Sequence, residues 1–189
     1  MKKKGLAMVL ALVLLAVCAV SGTLAWLTAK SDTVTNTFTT SDIKVELKET
    51  NETYKMVPGY DIHKDPKAKV LAGSEECFLF VKLEKSSNFD TYLEYAIADG
   101  WTQLTTDKDG KAISDLVYYR KVLTKDIGTA YSVLANDQVT VKGEVTKAMM
   151  DGLTTETLPK LTVTAYASQL YKSAGVEFTA AEAWANVTP

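Results

Sequence analysis

Ile43, Val45 and Leu47 alternate with Lys44, Glu46 and Lys48. Successive side chains of an extended chain point to opposite faces, so this stretch carries one apolar and one charged face, a division that no helix produces. The same period of two returns near the far end, where Leu161, Val163, Ala165 and Ala167 alternate with Thr162, Thr164, Tyr166 and Ser168. Residues 77–83, "CFLFVKL", are apolar on both faces before they begin to alternate, as in a central strand whose far end reaches solvent. Further short runs at 67–71, 93–97, 101–104, 116–123, 131–134 and 138–141 bring the count to roughly nine strands.

Turn chemistry separates these runs. Pro58-Gly59, Ala72-Gly73, Asp99-Gly100 and Asp109-Gly110 each supply a residue that tolerates positive φ. Asp99-Gly100, between "LEYAI" and "WTQL", predicts a hairpin. Short antiparallel strands at this spacing predict an all-β fold of two packed sheets. Two short helices interrupt it. Thr146 caps "KAMMDGL", with Val145 and Met150 as a hydrophobic staple, and Thr179 with Glu182 forms a capping box that opens "AAEAWANV". The second helix is expected to lay Ala183, Trp184 and Val187 against the sandwich and close an end of its core.

Lys2, Lys3 and Lys4 precede an uncharged stretch from Gly5 to Leu27, the layout of a secretory signal. Its most apolar part, Leu6 to Val20, falls short of the roughly 20 residues that a membrane-crossing helix needs. Cleavage is therefore expected, although Gly22 to Leu27 would extend the run to spanning length if it were retained as an anchor. Small residues at Thr23 and Ala25 place the cut after Ala25 and make Trp26 the new first residue. The chain then divides into a signal helix at 1–25 with only transient membrane contact, an extended segment at 26–40 and a β-sandwich at 41–189.

Loss of the signal removes three lysines and no acids, leaving 18 Lys and Arg against 23 Asp and Glu, a net charge of −5. Only Arg120 among those cations is an arginine. Nucleic acid, which requires clustered positive charge, is not an expected partner. Cys18 leaves with the signal, so Cys77 is the one remaining thiol; no internal disulfide can form, and Cys77 reads as a core residue.

Catalytic constellations are missing, and the chain is read as a non-enzyme without cofactor or metal. His63 is the only histidine, no H-E-x-x-H occurs, and no G-x-S-x-G elbow accompanies it, so it is expected in a loop. Residues 106–111, "TDKDGK", hold a fragment of a calcium-loop pattern without its later ligands and read as a tight turn.

Gly22-Thr23-Leu24-Ala25-Trp26-Leu27-Thr28 resembles the G-T-x-A-aromatic-x-(T/N) junction of the TasA/camelysin family, exported Gram-positive proteins processed by a dedicated SipW-type signal peptidase. Asn36-Thr37-Phe38-Thr39 followed by Ile43 to Leu47 resembles that family's N-x-F-x motif and first alternating strand, and Pro58-Gly59 its next turn. The resemblance implies a jelly-roll-like antiparallel sandwich, secreted, whose relatives form matrix fibres or sit at the cell surface.

The residues themselves suggest how such a chain assembles. Val34, Asn36 and Phe38 share one face of an extended segment, and such a segment can pair with the open sheet edge of a neighbouring subunit. Head-to-tail use of one donor and one acceptor does not close and yields a filament. The same segment is alternatively the first strand of its own sandwich. The leading expectation is a secreted structural protein of a Gram-positive envelope or biofilm matrix that associates with itself or with related matrix proteins. A surface adhesin using Tyr118 and Tyr119, or Tyr166 and Tyr171, is the second reading, and a camelysin-like metalloprotease the third.

Overall fold

A computed structural model describes residues 42–51 and 53–187. They form an antiparallel β body with three short helices. The strands are β1 (Val45–Lys48), β2 (Asp61–His63), β3 (Lys67–Val70), β4 (Cys77–Lys85), β5 (Leu93–Glu94), β6 (Thr102–Thr106), β7 (Ala112–Val122), β8 (Ala130–Ser132), β9 (Gln138–Val141), β10 (Leu161–Gln169), β11 (Tyr171–Ser173) and β12 (Val176–Glu177). The helices are α1 (Phe89–Tyr92), α2 (Lys147–Asp151) and α3 (Ala180–Ala185).

The central sheet has the order β10-β4-β7-β6. Its spine is β4, where Cys77 to Val81 are all buried, which is why this run is apolar on both faces. Each such side chain contributes about 1.5–3 kcal/mol relative to exposure.

Opposite lies a layer made of two three-stranded sheets, β1-β3-β8 and β2-β9-β5. These are halves of one bent sheet. β2 leads into β3 and β8 into β9, and the bend is held by Lys64 N–H to Asp137 C=O at 2.8 Å and Val133 N–H to Pro66 C=O at 2.9 Å. Pro66 has no N–H to continue a ladder, and Asn136 and Asp137 sit at φ 55° and 53°, so pairing breaks there and resumes beyond. Ala68 and Val70 of β3, and Val139 and Val141 of β9, pack against Cys77, Leu79, Val81 and Leu83 of β4 as the main core.

The outer face of the central sheet carries a second, smaller core of Phe78, Phe80, Leu104, Val117 and Leu170, covered by Ala183 and Trp184 of α3. The Trp184 ring lies 5.2 Å from Phe80 and 5.3 Å from Tyr166. α3, expected to close an end of the core, instead covers a sheet face: β4 is apolar on both sides and needs two lids.

Both expected caps are present. Thr146 Oγ accepts from Met149 N–H, and Thr179 and Glu182 bond reciprocally. α1 is an additional single turn whose Asn88 Nδ2 donates to Thr157 C=O at 2.7 Å instead of capping it, so local sequence gave no sign of it. All nine expected strands are found, and three more besides. His63, expected in a loop, ends β2 opposite Gln138. Asp99-Gly100 is a turn, but no hairpin surrounds it: β5 pairs with β9, while β6 pairs with β7. The hairpin belongs to Asp109-Gly110, where Asp107 Oδ1 accepts from the N–H groups of Asp109 and Lys111.

A candidate assembly edge

The two layers run in the same order, so each margin of the sandwich pairs one edge strand with another. On one side stand β5 and β6; on the other, β1 and β10.

The β5–β6 margin is closed. The chain itself crosses it through Asp99-Gly100. Just beyond the turn, Trp101 Nε1 donates to Ser132 C=O at 2.8 Å. Arg120 of β7 lies with its guanidinium carbon 3.5 Å from the Tyr131 ring centroid and 5.4 Å from that of Trp101. Burial lowers its pKa from the ordinary arginine value, while the two π-faces and the charge of Asp126 favour the cation. The turn fits closely over it: a side chain at Gly100, where φ is +84°, would put its first carbon 3.1 Å from Arg120 Nη2.

The β1–β10 margin has no such closure among the described residues. Ser86 N–H to Lys160 C=O at 3.0 Å and Leu170 N–H to Glu76 C=O at 3.1 Å bracket the β4–β10 ladder. Backbone groups of an antiparallel pair alternate in direction, so the even residues 160–170 bond to β4. The odd residues from Leu161 to Gln169 turn their N–H and C=O outward. By the same alternation, Leu71 N–H to Lys44 C=O at 2.8 Å leaves Val45 and Leu47 of β1 facing outward. Val163, Ala165 and Ala167 point their side chains at the main core yet are only partly buried, whereas their neighbours on β4 are fully covered.

Exposed edges are commonly protected by charge, proline, bulges or brevity. β2, β5 and β8 have two or three residues each, β6 is interrupted by a register shift, and β1 carries Glu46 and Lys48. β10 has nine residues and no charge.

At the Leu161 end of this margin lies a cleft of about 490 Å³. Ile62, Phe89, Leu93 and Val139 form its floor, and Leu158 stands at its mouth. Lys64 reaches its wall but is neutralised by Glu49, with Nζ 2.7 and 3.0 Å from the two carboxylate oxygens. The Tyr54 hydroxyl, with one proton to donate, lies within hydrogen-bond reach of Glu49 Oε1 and of Asn51 C=O. Nearby, the buried Asp65 carboxylate accepts from Thr50 Oγ at 2.7 Å and Thr50 N–H at 2.9 Å, fixing the chain as it leaves β1. These bonds hold the Asp65 pKa below its usual value.

The cleavage residues Thr23, Ala25 and Trp26, and the donor candidates Val34, Asn36 and Phe38, lie outside the described residues. Cys77 is fully buried, and burial pushes its thiol up to about 11, leaving it little thiolate at neutral pH. His63 is exposed, 3.8 Å from Asp65. No group of three or more His, Cys, Asp or Glu residues is placed to hold a metal among the described residues. Of the tyrosines considered for a binding face, Tyr118 packs into the main core and Tyr119 and Tyr166 against the smaller one, leaving only Tyr171 exposed. Sequence reasoning missed the β10 edge because strand order is non-local; its lack of charge was the available signal.

Comparison with known protein families, curated proteins and solved structures gives no match.

Proposed function

We propose that this chain is an exported structural protein of a Gram-positive envelope or biofilm matrix, a jelly-roll-like sandwich of the TasA/camelysin kind. After removal of residues 1–25 by a SipW-type signal peptidase, the freed segment 26–40 of one copy lies along β10 of the next and repeats into a filament. The observation that carries this reading is the nine-residue uncharged edge of β10, on which the residues that turn N–H and C=O outward also carry the partly buried apolar side chains. The segment 34–40, "VTNTFTT", is also uncharged and threonine-rich, suited to a strand, with Val34 and Phe38 on one face. Backbone pairing supplies affinity, and the apolar residues cover Val163, Ala165 and Ala167.

Purified chains 26–189 and 41–189 provide the test. The longer chain is expected to form filaments in negative-stain images and to sediment as polymer, and the shorter to remain monomeric. Polymer from the shorter chain, or a longer chain that stays monomeric at high concentration and after acid or interface treatment, would overturn the proposal. Mass spectrometry of secreted material is expected to find Trp26 at the N-terminus.

A further inference from the structure

The cleft beside Leu161 is much larger than the gaps of a packed core, which rarely exceed a water molecule. Its size and apolar floor suit one large uncharged group. An acidic ligand would have to compete with Glu49, which already holds Lys64. The cleft is continuous with the open edge, because its wall includes Leu161 and Thr162, the first two residues of β10.

We infer that this cleft is the anchor pocket for Phe38 of the incoming segment, which therefore runs antiparallel to β10. The inference rests on the strand-donation reading and adds direction and register to it. Every paired strand among the described residues is antiparallel. An antiparallel donor with Phe38 opposite Leu161 sets Asn36 opposite Val163 and Val34 opposite Ala165. Side-chain sizes agree with this order. The inward face of β10 passes from Leu161 and Val163 to Ala165 and Ala167, so the large ring meets the cavity and the smaller Val34 meets the alanine end. Asn36 falls at the half-exposed middle, where water reaches its amide. The reverse direction would put Phe38 over the alanines and leave the cleft empty. Buried aromatic anchors dominate affinity at interfaces of this type, which makes this contact decisive for assembly.

Photo-cross-linking tests both direction and pocket. Chain 26–189 carrying p-benzoylphenylalanine in place of Phe38 is mixed as a minor component with isotope-labelled wild-type chain, allowed to polymerise and irradiated. Intermolecular cross-links are expected to residues 56–64 or 158–162. Cross-links to 167–169, or within one chain, overturn the assignment. Polymer without any cross-link also overturns it while leaving strand donation in place; failure of the wild-type chain to polymerise removes the reading beneath it. In parallel, Phe38→Ala is expected to raise the critical concentration at least ~10-fold, and Trp26→Ala no more than about twofold. Equal effects of the two would count against a dedicated pocket.

Discussion

The two margins of the sandwich are built from the same materials and finished differently. At β5–β6 the chain crosses between the layers, and Trp101, Arg120 and Tyr131 stack beneath the crossing. At β1–β10 both edge strands turn backbone groups outward, and the inward residues of β10 are half covered. The contrast separates stability from association. The margin crossed by its own chain leaves a partner only the short edges of β5 and β6, the latter interrupted by a register shift. One that ends in a long uncharged strand retains, among the described residues, an unused set of hydrogen bonds, which nature usually conceals.

Ala165→Pro tests this comparison most severely. The Ala165 N–H points outward, so proline at that edge position removes a donor from the open margin without removing a bond to β4. Polymerisation is expected to be lost, with the critical concentration rising about 100-fold or more as bonds and register fail together. The far-UV circular dichroism of the monomer is expected to be retained. The same loss of assembly from Gln103→Lys on β6 would break the distinction between the margins.

Trp101→Ala probes the closed side. It removes the ring beside Arg120 and the bond to Ser132, and is expected to cost about 3 kcal/mol in urea unfolding. Filament formation by the folded fraction should be unchanged. Gly100→Ala is expected to cost about 1–2 kcal/mol through its positive φ and the crowding of Arg120. A smaller loss would mean that the arginine shifts freely and the stack is loose.

The finest test is acidity. Asp65 has a lowered pKa in the folded state, so its bonds to Thr50 stabilise the protein above the unfolded carboxyl value of about 3.9. That contribution is lost as pH falls through the folded value. Urea midpoints should therefore decline below about pH 4, and Asp65→Asn should flatten part of the decline. Hydrogen-exchange protection near Thr50, corrected for the intrinsic rate at each pH, should fall in acid while that at Trp101 does not, because Thr50 is bonded directly to the Asp65 carboxylate and Trp101 to a backbone carbonyl.

Much of this body was legible in the chain. Period-two alternation located β1, β4 and β10 because each has a face in a core, and the capping box at Thr179 and Glu182 was legible because it is local. β2, β11 and β12, of two or three residues each, were missed, and β5 and β8 are shorter than the runs at 93–97 and 131–134 that located them. Asp99-Gly100 misled because a turn specifies only its own residues. Whether the flanking strands pair depends on β9 and β7, which lie further along the chain. The open margin was invisible for the same reason: which groups of β10 face outward follows from its register with β4, and the cleft at its end draws on residues from Thr53 to Thr162.

Arg120 has a practical consequence. It is the only arginine in the chain and sits within β7, between β4 and β6 in the central sheet. An arginine-specific protease therefore has one bond to cut, and can reach it only when that sheet comes apart. The appearance of two fragments times global opening of the chain with no label attached.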